Sequence, residues 1–397
     1  MVKGNFYFSE LKRPYIFPII EQKLLEVKSL YPNVEILNMG IGDIALPLAP
    51  SISAAIAEAA QEMQKPAPLY GYGPSEGYSF LREAIQKNYY SNLPITAEEI
   101  FISDGINTDI VNILDLFDTS CSIAVPNPAY PAYLDSNILA GRQRHIYTMP
   151  CTKETRFVPK VPLIDCDLIY LCSPHNPTGV AMTRNELKEF VDYAIEKKAI
   201  ILFDHAYDAF VTSPEVPNSI YEIPGADEVA IEFKSFSKSA GFTGLRCSYL
   251  LLPKKVEVEI QKKNTSLHSL WKKRQSIKFN GVSYPIQKGA EACLTEVGKK
   301  ETEEQVKLYL SQSRQLKEGL EKAGQTCFGG IDSPYIWWQT PNNLGSWEFF
   351  DLLLHKCQLI AIPGCGFGEH GEGYVRLSGF STQEKTIKAL KRIQQLV

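Results

Sequence analysis

A lysine set among small hydroxylated residues and glycines, with an arginine eight positions on, occupies Ser235-Phe236-Ser237-Lys238-Ser239-Ala240-Gly241-Phe242-Thr243-Gly244-Leu245-Arg246. The apolar segment ahead of it (Val229, Ala230, Ile231, Phe233) reads as a strand entering a loop. Hydroxyls and backbone amides of such a loop can ring a phosphate, and Arg246 can grip it as a fixed fork. Lys238 can then form an imine with an aldehyde held by that grip. This combination points to pyridoxal 5'-phosphate. A solvated basic loop carries the same residue types, so the decision falls to the rest of the chain.

Three residues ahead of Lys238 suit the electronics of that cofactor. Asp204, at the end of the most apolar run in the chain (Ala199 to Phe203), can pair with a pyridine nitrogen and keep it protonated. Tyr207 can donate to the ring's phenolic oxygen, and Asn176, in Ser173-Pro174-His175-Asn176-Pro177-Thr178-Gly179, can reach the same oxygen from a turn. Tyr130, bracketed by Pro128 and Pro131, can stack on the ring. Arg376, in the apolar run Tyr374 to Leu377, would be costly to bury without an anion, which makes it a candidate for a substrate carboxylate. Each has a plainer account: a helix cap for Asp204, core packing for Tyr207, a turn for Asn176, a structural aromatic for Tyr130 and a protein salt bridge for Arg376. In Ser103-Asp104-Gly105-Ile106-Asn107 a short strand meets a glycine turn ahead of helical spacing (Ile110, Ile113, Leu114), where Asp104, Gly105, Ile106 and Asn107 would begin a helix able to take an anion.

These groups need elements that carry them to one place. Strands are predicted over Ile36–Met39, Ile100–Ser103, Cys121–Val125 and Leu168–Cys172, with helices over Glu21–Leu30 and Tyr130–Leu139. Thr183-Arg184-Asn185-Glu186 has the spacing of a capping box ahead of an amphipathic helix. Strand and helix alternate, which predicts an α/β fold with a mostly parallel sheet, ligands lying beyond the carboxyl ends of its strands. After it, Ile286 to Leu320 reads as largely helical, strands fall at Tyr335–Gln339, Leu359–Ile362 and Tyr374–Leu377, and a helix opens at Ser381. The expected division is an N-terminal arm with part of the small domain (1–45), a large cofactor-binding domain (46–285) and a smaller α+β domain (286–397).

The 397 residues include 41 basic and 45 acidic side chains, a net charge of -4 that gives no field implying nucleic acid or an anionic membrane. The dense basic cluster Lys272-Lys273-Arg274 reads as a solvated helix face. Nine cysteines lack the close paired spacing of zinc ligands or redox dithiols, so no metal is expected and the thiols read as reduced. The first twenty residues lack the pattern of a secretory leader, and no apolar run nears the ~20 residues of a membrane span. A soluble, cytoplasmic protein is expected.

In this order and at these separations, Asn176-Pro177-Thr178-Gly179, Asp204 with Tyr207, Ser235-Phe236-Ser237-Lys238, Arg246 and Arg376 resemble the fold-type-I aminotransferases. The resemblance covers nearly the whole chain. It implies Lys238 as the lysine that binds the cofactor and carries the proton, Ser235, Ser237 and Arg246 on the phosphate, and Asp204 on the pyridine nitrogen. It further implies Asn176 and Tyr207 on the phenolic oxygen, Tyr130 stacked on the ring and Arg376 on the α-carboxylate. It also implies a homodimer with shared active sites, in which Tyr72 of the partner subunit reaches the phosphate. Tyr15-Ile16-Phe17-Pro18, Gly40-Ile41-Gly42-Asp43, Gly71-Tyr72-Gly73, Pro128-Ala129-Tyr130-Pro131 and Phe279-Asn280-Gly281 look like the LL-diaminopimelate aminotransferase group, in which Tyr15 and a partner's Asn280 touch the distal end of the substrate. That group has two threonines where Ile44 and Ala45 stand, an acid where Ser75 stands and Ala-Lys where Ile106-Asn107 stand. Glu76, one position along, is a candidate replacement for the acid. Gly42, Tyr72, Ser75, Glu76 and Asn107 therefore join Tyr15, Tyr130, Asn176, Asn280 and Arg376 as candidate substrate contacts. An aminotransferase for another amino acid such as lysine or an aromatic one, a β-lyase, and a cofactor-binding regulator without turnover are the alternatives.

Overall fold

A computed structural model describes residues 1–11 and 16–396, so Tyr15 lies outside the described residues. Its centre is a seven-stranded sheet in the spatial order 100–103, 248–251, 230–235, 200–204, 168–172, 123–127 and 146–150. Only Ser248–Leu251 runs against its neighbours; the other pairings are parallel. Burial explains the order, because Leu168–Cys172, Ile200–Asp204 and Ala230–Ser235 are buried at every residue, as strands covered on both faces must be. One core holds Leu171, Phe203, Leu187 and Phe190 on one face. A second holds Leu202, Phe233, Ile110 and Trp271 on the other. The α/β class expected from alternating strand and helix is the observed one.

The Thr183 cap forms as its spacing implies: its hydroxyl accepts from the Glu186 amide at 3.3 Å, and the Glu186 carboxylate accepts from the Thr183 amide at 2.8 Å. The helix it opens, Arg184–Lys197, buries Leu187, Phe190, Val191 and Ala194 against the sheet.

A second sheet, antiparallel, joins Cys327–Gly329, Tyr335–Gln339, Tyr374–Ser378 and Ile362–Pro363. Of the strand anticipated around Ile36–Met39, only Leu37–Asn38 pair, in parallel with Leu359–Ile360, which ties the early chain to the C-terminal part. The 27-residue helix Glu296–Lys322 runs alongside. Between the two sheets lies a cluster of Tyr207, Phe210, Tyr309, Tyr335 and Phe380, which links the Asp204 strand end to the second sheet.

The Lys272-Lys273-Arg274 cluster is a solvated face only in part. The Arg274 side chain is 10% exposed, paired with Asp115 at 2.9 Å, while Lys272 reaches Glu76 at 2.8 Å. All nine cysteines are free thiols, seven of them buried. Among the described residues no helix is long and apolar enough to cross a membrane, and no cluster of potential metal ligands occurs.

Candidate active site

The site is built at the carboxyl ends of the parallel strands. Ala230–Ser235 delivers the chain into a single helical turn, Phe236–Ser239, whose start is fixed by the Ser235 hydroxyl accepting from the Ser237 amide at 3.0 Å. Phe236 anchors this turn against Phe242 and Tyr249, with ring centroids 5.7 and 5.6 Å away. Lys238 is thereby turned inward, and its amine donates to the Gly42 carbonyl. Burial lowers this amine to about 8; Arg376 and Arg246 act in the same direction and Asp43 opposes them. A lysine so tuned is a competent nucleophile near neutrality.

One strand over, Ile200–Asp204 ends in a carboxylate that accepts from the Tyr133 hydroxyl at 2.6 Å and the Ala206 amide at 3.1 Å. Burial pushes this carboxyl up to about 6, against the hydrogen bonds that favour its charged form. The next strand, Leu168–Cys172, leads to Asn176, whose side-chain oxygen accepts from Arg376 Nη1 at 2.6 Å. Arg376 comes from the second sheet, is 4% exposed, and donates from Nη2 to the Gly40 carbonyl at 2.8 Å. Its Nε is buried without a partner, and among the described residues no carboxylate pairs with it. The salt-bridge account of Arg376 therefore does not hold.

Gly105 adopts φ 146°, and a Cβ placed there would collide with the Arg246 guanidinium. Arg246 itself sits at φ 63° and donates to the Thr243 carbonyl at 3.1 Å. The helix that follows Gly105, Ile106–Asn112, has only seven residues, so the amides of its first turn count for more than its dipole. One oxygen of Asp104 is buried without a partner. The Arg246 guanidinium thus lies against Gly105, a candidate cradle of donors at the same strand ends as the buried Ser235 and Ser237, since Ser103 and Ser235 both pair with Ser248. Behind it, the Ser103 hydroxyl donates to the buried Asp109 carboxyl and lies 2.6 Å from the Ser248 hydroxyl. Burial raises Asp109 to about 8.

Of the remaining candidates, Tyr130 caps the helix Pro131–Leu139 and its hydroxyl reaches Asn107 Oδ1 at 3.3 Å. Gly42 meets the site through its carbonyl. Tyr72 is 90% exposed, and Asn280 is exposed as well. Their loops are neighbours, since a Cβ on Gly281 would sit 3.0 Å from the Pro74 carbonyl. Glu76 is already occupied: it accepts from Lys272 at 2.8 Å and from the Ser75 hydroxyl at 3.0 Å.

Reasoning from sequence missed Tyr133 and Tyr335. Tyr335 lies 2.8 Å from the Tyr207 hydroxyl, with the Arg376 guanidinium 4.2 Å from its ring centre. Neither carries a local signal. Each is one of 20 tyrosines, and each meets its partner across a long stretch of chain.

An amine lowered by burial, a buried carboxylate and an arginine with no carboxylate partner among the described residues are gathered at the strand ends of an α/β sheet. The chain belongs to the aminotransferase class I and II family, whose model matches residues 34–393. It is 46% identical, over 100% of its own length and 99% of the relative's, to an LL-diaminopimelate aminotransferase of Methanosphaera stadtmanae. It is 45% identical, with the same coverage, to one of Lawsonia intracellularis. Among solved structures, an L,L-diaminopimelate aminotransferase from Chlamydomonas reinhardtii superposes with a TM-score of 0.94 at 37% identity, covering 100% of this chain and 98% of that one.

Proposed function

We propose that this chain is a pyridoxal-phosphate-dependent aminotransferase of the LL-diaminopimelate:2-oxoglutarate type, serving lysine and diaminopimelate synthesis. The observation that carries the substrate is the end-to-end similarity to aminotransferases of that name. For the cofactor, support comes from the donor set: the Gly105 and Arg246 cradle for a phosphate, the desolvated Lys238 amine for an aldehyde and the buried Asp204 carboxylate for a pyridine nitrogen. When bound, the cofactor would supply an electron sink for the substrate's Cα.

Each residue then has a task. Ser235, Ser237, Arg246 and the amides of Asp104, Gly105, Ile106 and Asn107 hold the phosphate, joined by Tyr72 of the partner subunit in a homodimer. Tyr130 covers the ring face. Asn176 and Tyr207 orient the phenolic oxygen. Arg376 takes the substrate's α-carboxylate as a bidentate fork, with Asn176 holding its other side. Lys238 would hold and move the proton taken from the substrate's Cα. Its depressed basicity suits it to carry a proton in both directions near neutral pH. The protein is assigned to the cytoplasm.

A second reading keeps the fold and the reaction but changes the amino acid. Ile44, Ala45, Ser75 and Asn107 bring no charge to the distal end of the substrate, and Glu76 is held by Lys272. Single half-turnover absorbance measurements on the loaded protein separate the readings. LL-diaminopimelate, its meso isomer, glutamate, lysine and aromatic amino acids are added one at a time. Bleaching by LL-diaminopimelate and glutamate alone supports the first reading, and bleaching by another amino acid but not by diaminopimelate supports the second. Release of pyruvate and ammonia without an oxo-acid acceptor would mark a β-lyase.

A further inference from the structure

The two phenols of Tyr207 and Tyr335 are 5% and 1% exposed and face one another with hydroxyl oxygens 2.8 Å apart. They come from different sheets, Tyr207 from just past the Asp204 strand and Tyr335 from the start of Tyr335–Gln339. Burial raises both phenols, that of Tyr207 well above its ordinary range, so both stay protonated. Two protonated hydroxyls at this distance share one hydrogen bond: one proton lies between them and the other is free to point elsewhere. Which hydroxyl is the donor is decided by the surroundings.

Those surroundings are asymmetric. The Arg376 guanidinium opposes the effect of burial on both phenols, but it is the Tyr335 ring that it lies over, 4.2 Å from its centre. A cation over the ring makes Tyr335 the more acidic partner and the better donor. The Tyr335 hydroxyl is also confined: a Cβ on Gly42 would collide with it, and Gly42 carries the carbonyl that holds Lys238. The ring is packed against Phe380 and Tyr207. Its oxygen therefore has little room to turn away from Tyr207.

We propose that Tyr335 is a positioning residue for Tyr207, donating its proton to the Tyr207 oxygen so that Tyr207 presents its own proton to the cofactor's phenolic oxygen. This rests on the assignment of Tyr207 above. The ring that performs this task is the one on which the substrate-binding arginine is stacked, so the carboxylate grip and the phenolic hydrogen bond share a support. A phenol that accepts one hydrogen bond is a stronger donor of the next. Without Tyr335, Tyr207 stabilises the deprotonated cofactor less well.

The test is a pH titration of the visible absorbance of the loaded protein, together with its melting temperature and the dissociation constant for pyridoxal phosphate. Tyr335→Phe keeps the ring and removes only the hydroxyl. The pH of half-titration is expected to rise by roughly half a unit to one unit, the worth of one neutral hydrogen bond. Tyr207→Phe is expected to raise it further, and the double variant to match Tyr207→Phe alone, because Tyr335 acts only through Tyr207. Gly42→Ala, which drives a methyl group against the Tyr335 hydroxyl, is a second perturbation expected to shift the titration in the same direction. No shift in Tyr335→Phe, or shifts of the two tyrosine variants that add in the double variant, would overturn the proposal. A wild-type protein that gains no visible band on exposure to pyridoxal phosphate would instead overturn the cofactor assignment itself.

Discussion

Arg376 Nη1 donates to Asn176 Oδ1 at 2.6 Å, and this hydrogen bond joins the two sheets of the protein at a point where the arginine is 4% exposed. Its second acceptor, the Gly40 carbonyl, is neutral too. A guanidinium buried among neutral acceptors keeps its unmet demand for an anion, and a carboxylate ligand answers that demand with two parallel hydrogen bonds.

Arg376→Lys is therefore expected to be damaging although it preserves the charge. A lysine ammonium is a point charge and cannot hold Asn176, Gly40 and a bidentate carboxylate at once. Steady-state kinetics should show kcat/KM lowered by about a hundredfold or more, with KM raised for amino acid and oxo acid alike. Affinity for pyridoxal phosphate should stay within a few-fold of wild type. Loss of cofactor binding in place of a raised KM would mean that Arg376 serves the fold.

Lys238 gives a prediction in pH. Burial holds its amine at about 8, below the ordinary lysine value of 10.5, and only the neutral amine attacks an aldehyde. The rate at which cofactor-free protein takes up pyridoxal phosphate should rise about tenfold from roughly pH 7 to pH 9 and then level off. An unshifted lysine would give a rise of roughly a hundredfold across the same window without levelling. Stopped-flow absorbance reads the difference directly.

Asp204 gives a prediction in stability. Its carboxyl is raised from 3.8 to about 6 in the folded protein. Between those values the folded state binds the proton more tightly than the unfolded chain, so this group favours folding as pH falls and opposes it as pH rises through 6. At pH 8 the buried charge costs of the order of 3 kcal/mol. Asp204→Asn should raise the melting temperature of the cofactor-free protein at pH 8 by about 2–5 °C, with the gain shrinking toward pH 4. The same variant should lose nearly all transaminase activity. A variant that melts below wild type at pH 8 would show that the Tyr133 and Ala206 hydrogen bonds outweigh the buried charge.

How far these groups could be read from the sequence depended on whether their signals were local. Leu168–Cys172 and Tyr335–Gln339 occupy the residues anticipated because a continuous apolar run specifies a buried strand, and Thr183 with Glu186 form the anticipated cap because both members lie within one turn. Ile146–Pro150 was not anticipated. It is an edge strand with exposed residues and shows no apolar run. The Tyr207–Tyr335 pair spans 128 residues and the Arg376–Asn176 pair 200, and such contacts are set by packing between sheets that no short pattern records. Arg274 shows the same limit from the other side, because its neighbours in sequence suggest solvent while Asp115, far away in the chain, draws it inward.

Gly105 offers the sharpest separation of binding from folding. Its φ of 146° is open to glycine and strained for any residue with a Cβ, and the hydrogen replaced in Gly105→Ala faces the Arg246 guanidinium. The methyl group must either push that guanidinium aside or move the turn that leads into Ile106–Asn112. Both outcomes spoil the cradle, while the sheet beneath it, buried at Ile100, Phe101, Ile102 and Ser103, keeps its contacts. Gly105→Ala should therefore raise the dissociation constant for pyridoxal phosphate by about tenfold or more, the loss of one charge-assisted contact, and lower the melting temperature of the cofactor-free protein by only a few degrees. Arg246→Ala is the control for the same contact and should weaken binding similarly. If Gly105→Ala binds the cofactor as wild type does while Arg246→Ala does not, Arg246 grips the phosphate from a direction that leaves Gly105 free, and Gly105 is no part of the cradle.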